Sequence, residues 1–436
     1  MVEIARQLES KGFEAWCVGG AVRDALLGHA HLDWDFATSA RPEQVREIFG
    51  HRRTIPIGIE FGTVGVLDSD GLMHEVTTFR RDVRTDGRHA EVEFGVSLED
   101  DLARRDFTIN AIAYSPTGGE LRDPFGGQSD LGRGVLRAVG DADARMREDR
   151  LRALRGLRFA ARFGFDIDEA TWRAIRDSAP HLGRLSAERV KQEIEKTMDQ
   201  VRLPGVAFTM WKSTGAFATL IPALASASDE SLSVANYLAV PGLARRPQRR
   251  LTRLAGLFAN LDANVVTRTL TALRFSKQET QWISTVVGRW HEVGPAIERA
   301  VKAPDMPSNA VMRGWVARIG RPHVGAVMRL AVGVWSARAA TGGWAPDLHT
   351  AQRLYRRMSK IAFRDPIELR DLAIDGDDLK RAGVSGGPRL GEILQALLRH
   401  VLEDPALNRT DWLLQQAMRL HHRDESSIGV KRGDGD

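Results

Sequence analysis

Asp33 and Asp35, in the segment LDWDFAT, are the first residues whose types and spacing could do chemistry. Alternate side chains of a β-strand point to the same face, so both carboxylates would face one way while Trp34 and Phe36 face the core. Two adjacent carboxylates are suitable ligands for Mg²⁺. The same Asp-x-Asp spacing occurs six times in the chain, so the spacing alone does not identify a metal site.

A third carboxylate, Glu75, lies in MHEVTTF, a later strand that can pair beside the first. A strand glutamate lies either on a solvated face or at a cation, because burying an unpaired charge is costly. Together with Asp33 and Asp35 it would hold two Mg²⁺ ions about 4 Å apart, one activating a hydroxyl and one bridging the phosphates of a nucleoside triphosphate. The three carboxylates therefore predict phosphoryl or nucleotidyl transfer.

A glycine pair precedes the first predicted helix of this region. Gly19 and Gly20 follow the strand segment AWCV, and the helical stretch AVRDALL begins at once. Backbone N–H groups at such a turn, the positive helix end and Arg23 together would form a cradle for a polyphosphate. The alternative is that the glycine pair serves only close packing.

Two further segments are rich in arginine. In DLARRDFTINAIAYSP, Arg104 and Arg105 offer planar donors to phosphate, and Asp106 and Asn110 offer hydrogen bonds to ribose hydroxyls, although charged caps before a buried helix would look similar. Residues 145–162 carry seven arginines and two acids, a net charge of +5, and predict one helix that either binds nucleic acid or triphosphate or has a solvated face. These arginines are Arg145, Arg147, Arg150, Arg152, Arg155, Arg158 and Arg162.

The elements that must position these residues follow from the hydrophobic pattern. Short apolar and β-branched runs separated by glycine fill residues 13–70, with helical stretches between them, and predict a compact sheet domain. Strand signals end near residue 139, and the pattern from 141 onward has helical spacing. The sequence therefore predicts an α+β fold in which an N-terminal sheet domain is followed by helices. Residues 422–436 lack an apolar period and predict a disordered tail.

The composition excludes several classes of protein. The chain has 436 residues, 43% of them hydrophobic and 27% charged, with a net charge of +5. No apolar run reaches about 18 residues, so no membrane span is expected. The start of the chain lacks the pattern of a signal peptide, which predicts a cytoplasmic location. Cys17 is the only cysteine, which excludes an intrachain disulfide and a cysteine-based metal site.

Five segments, in this order, resemble the bacterial tRNA nucleotidyltransferase and poly(A) polymerase family of the polymerase β-like superfamily. They cover most of residues 13–198. GGAVRDALLG with LDWDFAT resembles its metal motif, RRDFTINA its ribose motif, DPFGGQSDLGRGVLRAVGD its hinge motif and EDRLRALRGLRFAARFGF its base-templating motif. LSAERVKQEIEKTM resembles the motif that supports the templating helix. LAIDGDDLKRAGVSGGPRLGEIL resembles the tail segment of the CCA-adding branch.

The resemblance implies an architecture and an activity. It implies a polymerase β-like nucleotidyltransferase head at residues 1–140, a helical base-templating neck at 141–204, a helical body at 205–345 and a helical, tRNA-binding tail at 346–421. The implied reaction is the template-independent addition of C, C and A to the 3′ end of tRNA from CTP and ATP with Mg²⁺. No membrane partner is implied, and the oligomeric state is left open.

Residue roles are carried over from the same motifs. Asp33 and Asp35 would be the metal ligands, with Glu75 as a third carboxylate. Asp149 and Arg152 would hydrogen-bond the Watson–Crick edge of the incoming base, with Glu148 orienting the arginine. The nucleotide-binding set would comprise Gly19, Gly20, Arg23, Arg105, Asp106, Asn110, Asp149, Arg152, Arg155 and Arg158.

The resemblance also bears on the scope of the reaction. RTIPIGIEFGTVGV resembles the CCA-adding form of this region, although Phe61 stands where the family commonly has histidine and Leu32 ends a stretch that often carries lysine. DGRH, with Asp86 and Arg88, resembles the flexible loop that reshapes the pocket from C to A, and so predicts full CCA addition. The alternatives are an enzyme that adds only CC or only A, a bacterial poly(A) polymerase, and a catalytically inactive RNA-binding protein. No second, phosphohydrolase activity is predicted.

Overall fold

The chain forms two compact units. A computed structural model describes residues 1–29, 34–85, 90–238 and 249–429. One unit comprises Met1–Ala227 with Ala272–Arg274, and the other comprises Ser228–Thr271 with Phe275–Asp436. The first unit carries the β-sheet and the second is helical, so the α+β fold class is confirmed. The finer division into head, neck, body and tail stays a prediction.

The first part of unit one alternates strands and short helices, as the hydrophobic pattern predicts. Its helices are α1 (Val2–Glu9), α2 (Gly20–Leu26), α3 (Pro42–Phe49), α4 (Leu98–Ala103) and α5 (Gly127–Arg133). Its strands are β1 (Ala15–Val18), β2 (Asp35–Thr38), β3 (Thr54–Gly58), β4 (Thr63–Leu67), β5 (Met73–Thr78), β6 (Arg80–Thr85), β7 (Ala90–Phe94), β8 (Ala113–Tyr114), β9 (Leu121–Arg122) and β10 (Val135–Leu136).

Strand β2 is the middle strand of a seven-stranded sheet with the order β3-β4-β5-β2-β1-β8-β9. It pairs antiparallel with β1, where Val18 lies opposite Asp35, and parallel with β5, where Phe36 lies opposite Val76. Continuing the parallel register by one residue places Glu75 beside Asp35 on the same face of the sheet. The predicted pairing of these two strands is therefore present. Strands β6 and β7 form a separate antiparallel hairpin.

A continuous hydrophobic core fixes the central strands. All four residues of β1 are buried, and Trp16 and Val18 belong to a cluster of buried side chains that includes Phe79 and Leu102. This cluster joins strands β1, β2 and β8 to helix α4. Because the strands are held by both their ladders and this core, the ends of β1 and β2 are rigid points from which site residues project.

Helices follow the sheet region, with one short exception. They are α6 (Ala142–Glu148), α7 (Leu151–Phe163), α8 (Glu169–Ser178), α9 (Ala187–Gln200), α10 (Pro204–Thr214) and α11 (Ala216–Leu220). A two-residue strand, β11 (Asp166–Ile167), pairs parallel with β10, beyond the point at which strand signals were expected to end.

The predicted single helix over 145–162 is wrong, because the helix breaks at Asp149. This residue is extended, with φ −146° and ψ 105°, and its carboxylate accepts a hydrogen bond from the backbone N–H of Leu151. A side chain that caps the following helix competes with the continuous helical path.

The second unit contains helices throughout its described part. They are α12 (Asp229–Ser233), α13 (Arg249–Leu257), α14 (Ala263–Ala272), α15 (Lys277–Lys302), α16 (Asn309–Ile319), α17 (Val324–Ala340), α18 (Leu348–Arg364), α19 (Gly376–Arg381), α20 (Pro388–Glu403) and α21 (Thr410–Gly429). Helix α21 continues through 422–429, where disorder was predicted, while 430–436 lie outside the described residues. Across the described residues, no helix is long and apolar enough to cross a membrane.

Candidate active site

A cavity of about 530 Å³ in unit one collects most of the predicted site residues. Nine of its lining side chains are cationic and three are acidic. Such an excess of positive charge in a polar cavity favours a polyanionic ligand. The lining residues are Gly19, Gly20, Arg23, Asp35, Arg104, Arg105, Asp106, Asn110, Asp149, Leu151, Arg152, Arg155, Arg158, Phe159, Arg162, Arg189, Lys196 and Gln200.

Two of the three carboxylates predicted to bind metal lie on neighbouring strands at the centre of the sheet. Asp35, the first residue of β2, is half-buried and lines the cavity, and Glu75 lies beside it in the register of β5 with an exposed side chain. Glu75 is outside the cavity lining. Asp33 lies outside the described residues, and no cluster of three His, Cys, Asp or Glu side chains occurs among the residues that are described. Asp35 and Glu75 present carboxylate oxygens, which are the donors that a hard divalent cation takes.

The glycine pair stands where two arginines approach the backbone. A side chain at Gly19, whose φ is +74°, would come within 3.1 Å of a guanidinium nitrogen of Arg105, and one at Gly20 within 3.4 Å of Arg23. The positive φ of Gly19 therefore favours glycine at that position, whereas a side chain at Gly20 would make only an ordinary van der Waals contact.

Arg23 is a buried, paired residue. Its guanidinium lies 2.6 Å from a carboxylate oxygen of Asp24, donates to the side-chain oxygen of Asn110 and stacks 4.8 Å from the ring centroid of Phe163. Burial lowers the pKa of Arg23 against the opposing effect of Asp24. Because its donors are engaged by protein groups, Arg23 holds α2 against α7 in addition to lining the cavity.

Asp106 is the centre of a hydrogen-bonded network in the cavity. Arg155 Nε lies 2.8 Å from one carboxylate oxygen, and the amide of Asn110 donates to the other at 2.9 Å. Burial alone would raise the pKa of Asp106, but Arg155 and Asn110 outweigh it and hold that pKa below its usual value. Asp106 is thus an ionised acceptor held in a fixed orientation.

The predicted base-reading residues lie at the break between α6 and α7. Arg152 donates a hydrogen bond of 2.6 Å to a carboxylate oxygen of Glu148, which is the contact that the resemblance implied. Asp149 accepts a hydrogen bond of 2.7 Å from Arg189. Arg152 also donates to the backbone carbonyl of Arg104 at 2.9 Å. These contacts leave little rotational freedom to either side chain, and their role in base selection stays a prediction.

The alternative of a solvated arginine face over 145–162 is wrong. Of the seven arginines only Arg147 is exposed. Arg158 is 3% exposed and forms an ion pair of 2.7 Å with Glu193, which is 1% exposed. Burial lowers the pKa of the Arg158 guanidinium despite this partner. Apart from Arg147, the arginines of this segment are therefore buried or half-buried, and several of them line the cavity.

Several cavity residues were missed by the site prediction. They are Leu151, Phe159, Arg162, Arg189, Lys196 and Gln200, whereas Arg104 was expected as a phosphate donor. Arg189 and Lys196 lie within LSAERVKQEIEKTM, so the resemblance of this segment to a supporting motif was the signal that could have found them. Arg162 was part of the arginine-rich segment and pairs with Asp24 at 3.1 Å. The predicted loop residues Asp86 and Arg88 lie outside the described residues.

Known family models match three parts of the chain. Residues 15–137 match the "Poly A polymerase head domain", and residues 164–228 match the "Probable RNA and SrmB- binding site of polymerase A". Residues 343–417 match the tRNA nucleotidyltransferase domain 2. The first match contains the sheet that carries Asp35.

Relatives match over nearly the full length. The CCA-adding enzyme of Geobacillus kaustophilus is 35% identical over 427 residues, which cover 96% of this chain and 97% of the relative. That of Limosilactobacillus reuteri is 32% identical and covers 96% and 95%.

Solved structures agree with this assignment. The Bacillus stearothermophilus CCA-adding enzyme in complex with CTP has a TM-score of 0.75 at 31% identity and covers 98% of both chains. The Thermotoga maritima CCA-adding enzyme complexed with tRNA has a TM-score of 0.66 at 21% identity, covers 96% of this chain and 94% of its own, and shows the fold alone. The chain therefore belongs to the tRNA nucleotidyltransferases of the poly(A) polymerase family, the group that includes the CCA-adding enzymes.

Proposed function

We propose that this protein adds C, C and A to the 3′ end of tRNA from CTP and ATP without a nucleic-acid template. The observation that carries the proposal is one cavity that holds a sheet carboxylate, Asp35, together with Asp149 and Arg152 among nine cationic side chains. The carboxylate suits nucleotidyl transfer, the acid and arginine suit the reading of a base edge, and the cations suit a triphosphate. The full-length similarity to CCA-adding enzymes supports the same reaction.

Nucleotidyltransferases of this family work with a divalent metal ion, and we assign Mg²⁺ to this chain. Asp35, Glu75 and the preceding Asp33 would hold it, because carboxylate oxygens are its preferred protein donors. When two such ions are bound, one would lower the pKa of the attacking 3′ hydroxyl and the other would neutralise charge at the triphosphate.

The cavity residues divide the binding of the nucleotide between them. Arg105 lies beside Gly19, and Arg104 and Arg105 would hold phosphate oxygens. Asp106, ionised and fixed by Arg155, would accept a hydrogen bond from a ribose hydroxyl. Asp149 would accept from the exocyclic amine that cytosine and adenine share, while Arg152 would donate to the ring. Fixed donors and acceptors of this kind orient the α-phosphate for attack without reorganising during the reaction.

The second unit supports a role for the predicted tail in tRNA binding. Helix α18 contains no Asp or Glu, and it exposes Arg353, Arg356 and Lys360 beside the partly exposed ring of Tyr355. Cationic side chains with an interleaved aromatic ring suit an RNA backbone and its unstacked bases. We therefore keep the head, neck, body and tail division as part of the proposal.

The decisive experiment measures incorporation of labelled CTP and ATP into tRNA that lacks its 3′ CCA. We expect Asp35→Asn to lower the rate by roughly 100-fold or more at ordinary Mg²⁺ concentrations, because a ligand of the metal is lost. Asp70→Asn is the matched control, since it alters an exposed copy of the same Asp-x-Asp spacing. Near-normal turnover of the Asp35 variant would contradict the site.

The same assay separates the alternatives. Products that stop after CC, or that form only from tRNA ending in CC, indicate partial scope. Long A tails on unrelated RNA indicate a poly(A) polymerase. A folded wild-type protein that binds tRNA but incorporates nothing is the inactive RNA-binding protein.

A further inference from the structure

A buried histidine lies directly behind the metal-binding segment. His74 is 1% exposed on β5 and occupies the opposite face of the sheet from its neighbour Glu75. Its Nδ1 lies 3.2 Å from the backbone oxygen of Trp34, and its Nε2 lies 3.1 Å from a carboxylate oxygen of Asp68. One ring therefore bridges the residue before Asp35 to a distant turn.

The turn that holds this ring is itself well ordered by hydrogen bonds. The other carboxylate oxygen of Asp68 accepts from the backbone N–H groups of Asp70 at 3.0 Å and Leu72 at 2.9 Å. Burial opposes ionisation of Asp68, but the contacts with His74 and these backbone groups hold its pKa below the usual value. A carbonyl oxygen only accepts, so the hydrogen bond to Trp34 is donated by Nδ1, while Nε2 contacts the Asp68 carboxylate.

Trp34, whose carbonyl His74 contacts, directly precedes the proposed metal ligand Asp35. The ladder of β2 begins at Asp35, so the peptide that joins Trp34 to Asp35 lies where the strand pairing starts. The His74 ring also packs edge-on against Phe36, with 6.0 Å between the ring centroids. The histidine thus contacts the residues on both sides of Asp35 from the buried face.

We propose that His74 is a positioning residue, whose hydrogen bond to the Trp34 carbonyl orients the peptide before Asp35 and so fixes the direction of the Asp35 carboxylate toward a divalent cation. This rests on the proposed function only in taking Asp35 as a metal ligand. Groups that orient a metal-binding side chain contribute strongly to metal affinity, although they contact neither the metal nor the substrate.

Two substitutions separate the hydrogen bond from the packing. In His74→Asn the amide nitrogen can take the place of Nδ1 and keep the bond to Trp34, while contact with Asp68 is lost. In His74→Gln the amide nitrogen stands at the position of Nε2, so the contact with Asp68 is kept and the bond to Trp34 is lost. Both variants replace an aromatic ring in the core, so both should lose thermal stability to a similar degree.

The measurement is a Mn²⁺ titration by electron paramagnetic resonance in the presence of a non-hydrolysable CTP analogue, with thermal unfolding in parallel. We expect His74→Gln to weaken Mn²⁺ binding roughly 10-fold or more and His74→Asn to stay close to wild type. In nucleotide-addition assays the Gln variant should need more metal but recover its rate at saturation.

The outcomes distinguish this inference from the proposed function. Equal Mn²⁺ affinity in both variants, whether lowered or unchanged, overturns the positioning role, because packing alone would affect them alike. A wild-type protein that binds Mn²⁺ with the analogue but adds no nucleotide to tRNA overturns the proposed function, while the titration still decides the role of His74.

Discussion

The extended backbone at Asp149 determines where its carboxylate lies in the cavity. It lies between α6 and α7, caps α7 through the N–H of Leu151, and receives Arg189 at 2.7 Å. Each carboxylate oxygen accepts one hydrogen bond from the protein and keeps capacity to accept another from a ligand. This arrangement is compatible with the proposed role of Asp149 in reading the base.

If Asp149 reads the exocyclic amine, Asp149→Ala should lower discrimination against UTP and GTP by at least roughly 10-fold, because only a hydrogen-bonding site rejects a base that lacks the right partner. Rates with all four nucleotides measure this. Arg147→Ala is the control, since Arg147 is the exposed arginine of the segment, whereas Arg150 donates to Ser178 at 2.7 Å. Unchanged selectivity would mean that Asp149 serves only the helix break.

At the scale of elements, α7 and α9 are joined by the buried pair of Arg158 and Glu193. Removing one partner of a buried ion pair leaves an uncompensated charge in the interior. We therefore expect Glu193→Ala to lower the free energy of unfolding by about 3–5 kcal/mol, as measured by denaturant titration. Glu169→Ala is the control, because the exposed pair of Glu169 and Arg173 should contribute about 1 kcal/mol or less. A loss of similar size in both variants would show that Arg158 is not held by Glu193.

The elements also show how far the sequence could predict the structure. The sequence predicted that the strand of Glu75 can pair beside that of Asp35, and it predicted Asp35, Asp106 and Asp149 as site residues that line one cavity. The break at Asp149 was missed, because no glycine or proline marks it and only the tertiary position of the side chain creates it. Burial of the arginines could not be predicted from the sequence either, because their partners, such as Glu193, are distant in sequence.

At the scale of the whole molecule, similarity to CCA-adding enzymes extends over 96% of the chain, through both compact units. The proposed nucleotide cavity is lined only by residues of unit one, while the basic helix α18 belongs to unit two. Under the proposed function, the residues that select the base and the helix that binds RNA therefore belong to different units.

The scope of the reaction is also a property of the whole molecule, because C and A must be selected in one pocket at different stages of tRNA extension. The segment DGRH connects β6 to β7 and lies outside the described residues. Its glycine and charged residues are typical of a loop. Its resemblance to the loop of full CCA-adding enzymes predicts that it reshapes the pocket from C to A, so that only the addition of A depends on it.

We therefore expect a double variant, Asp86→Ala with Arg88→Ala, to add both C residues at a near-normal rate and to lose most addition of the terminal A. Gel analysis of single-nucleotide products from tRNA lacking CCA measures each step separately. Arg81→Ala is the control, since Arg81 pairs with Glu93 at 2.7 Å across the same hairpin but outside the loop. If the double variant adds C, C and A in wild-type proportions, the loop does not switch the pocket. If the wild type itself stops after CC, the chain is a partial-scope enzyme whose tRNA must be completed by another protein.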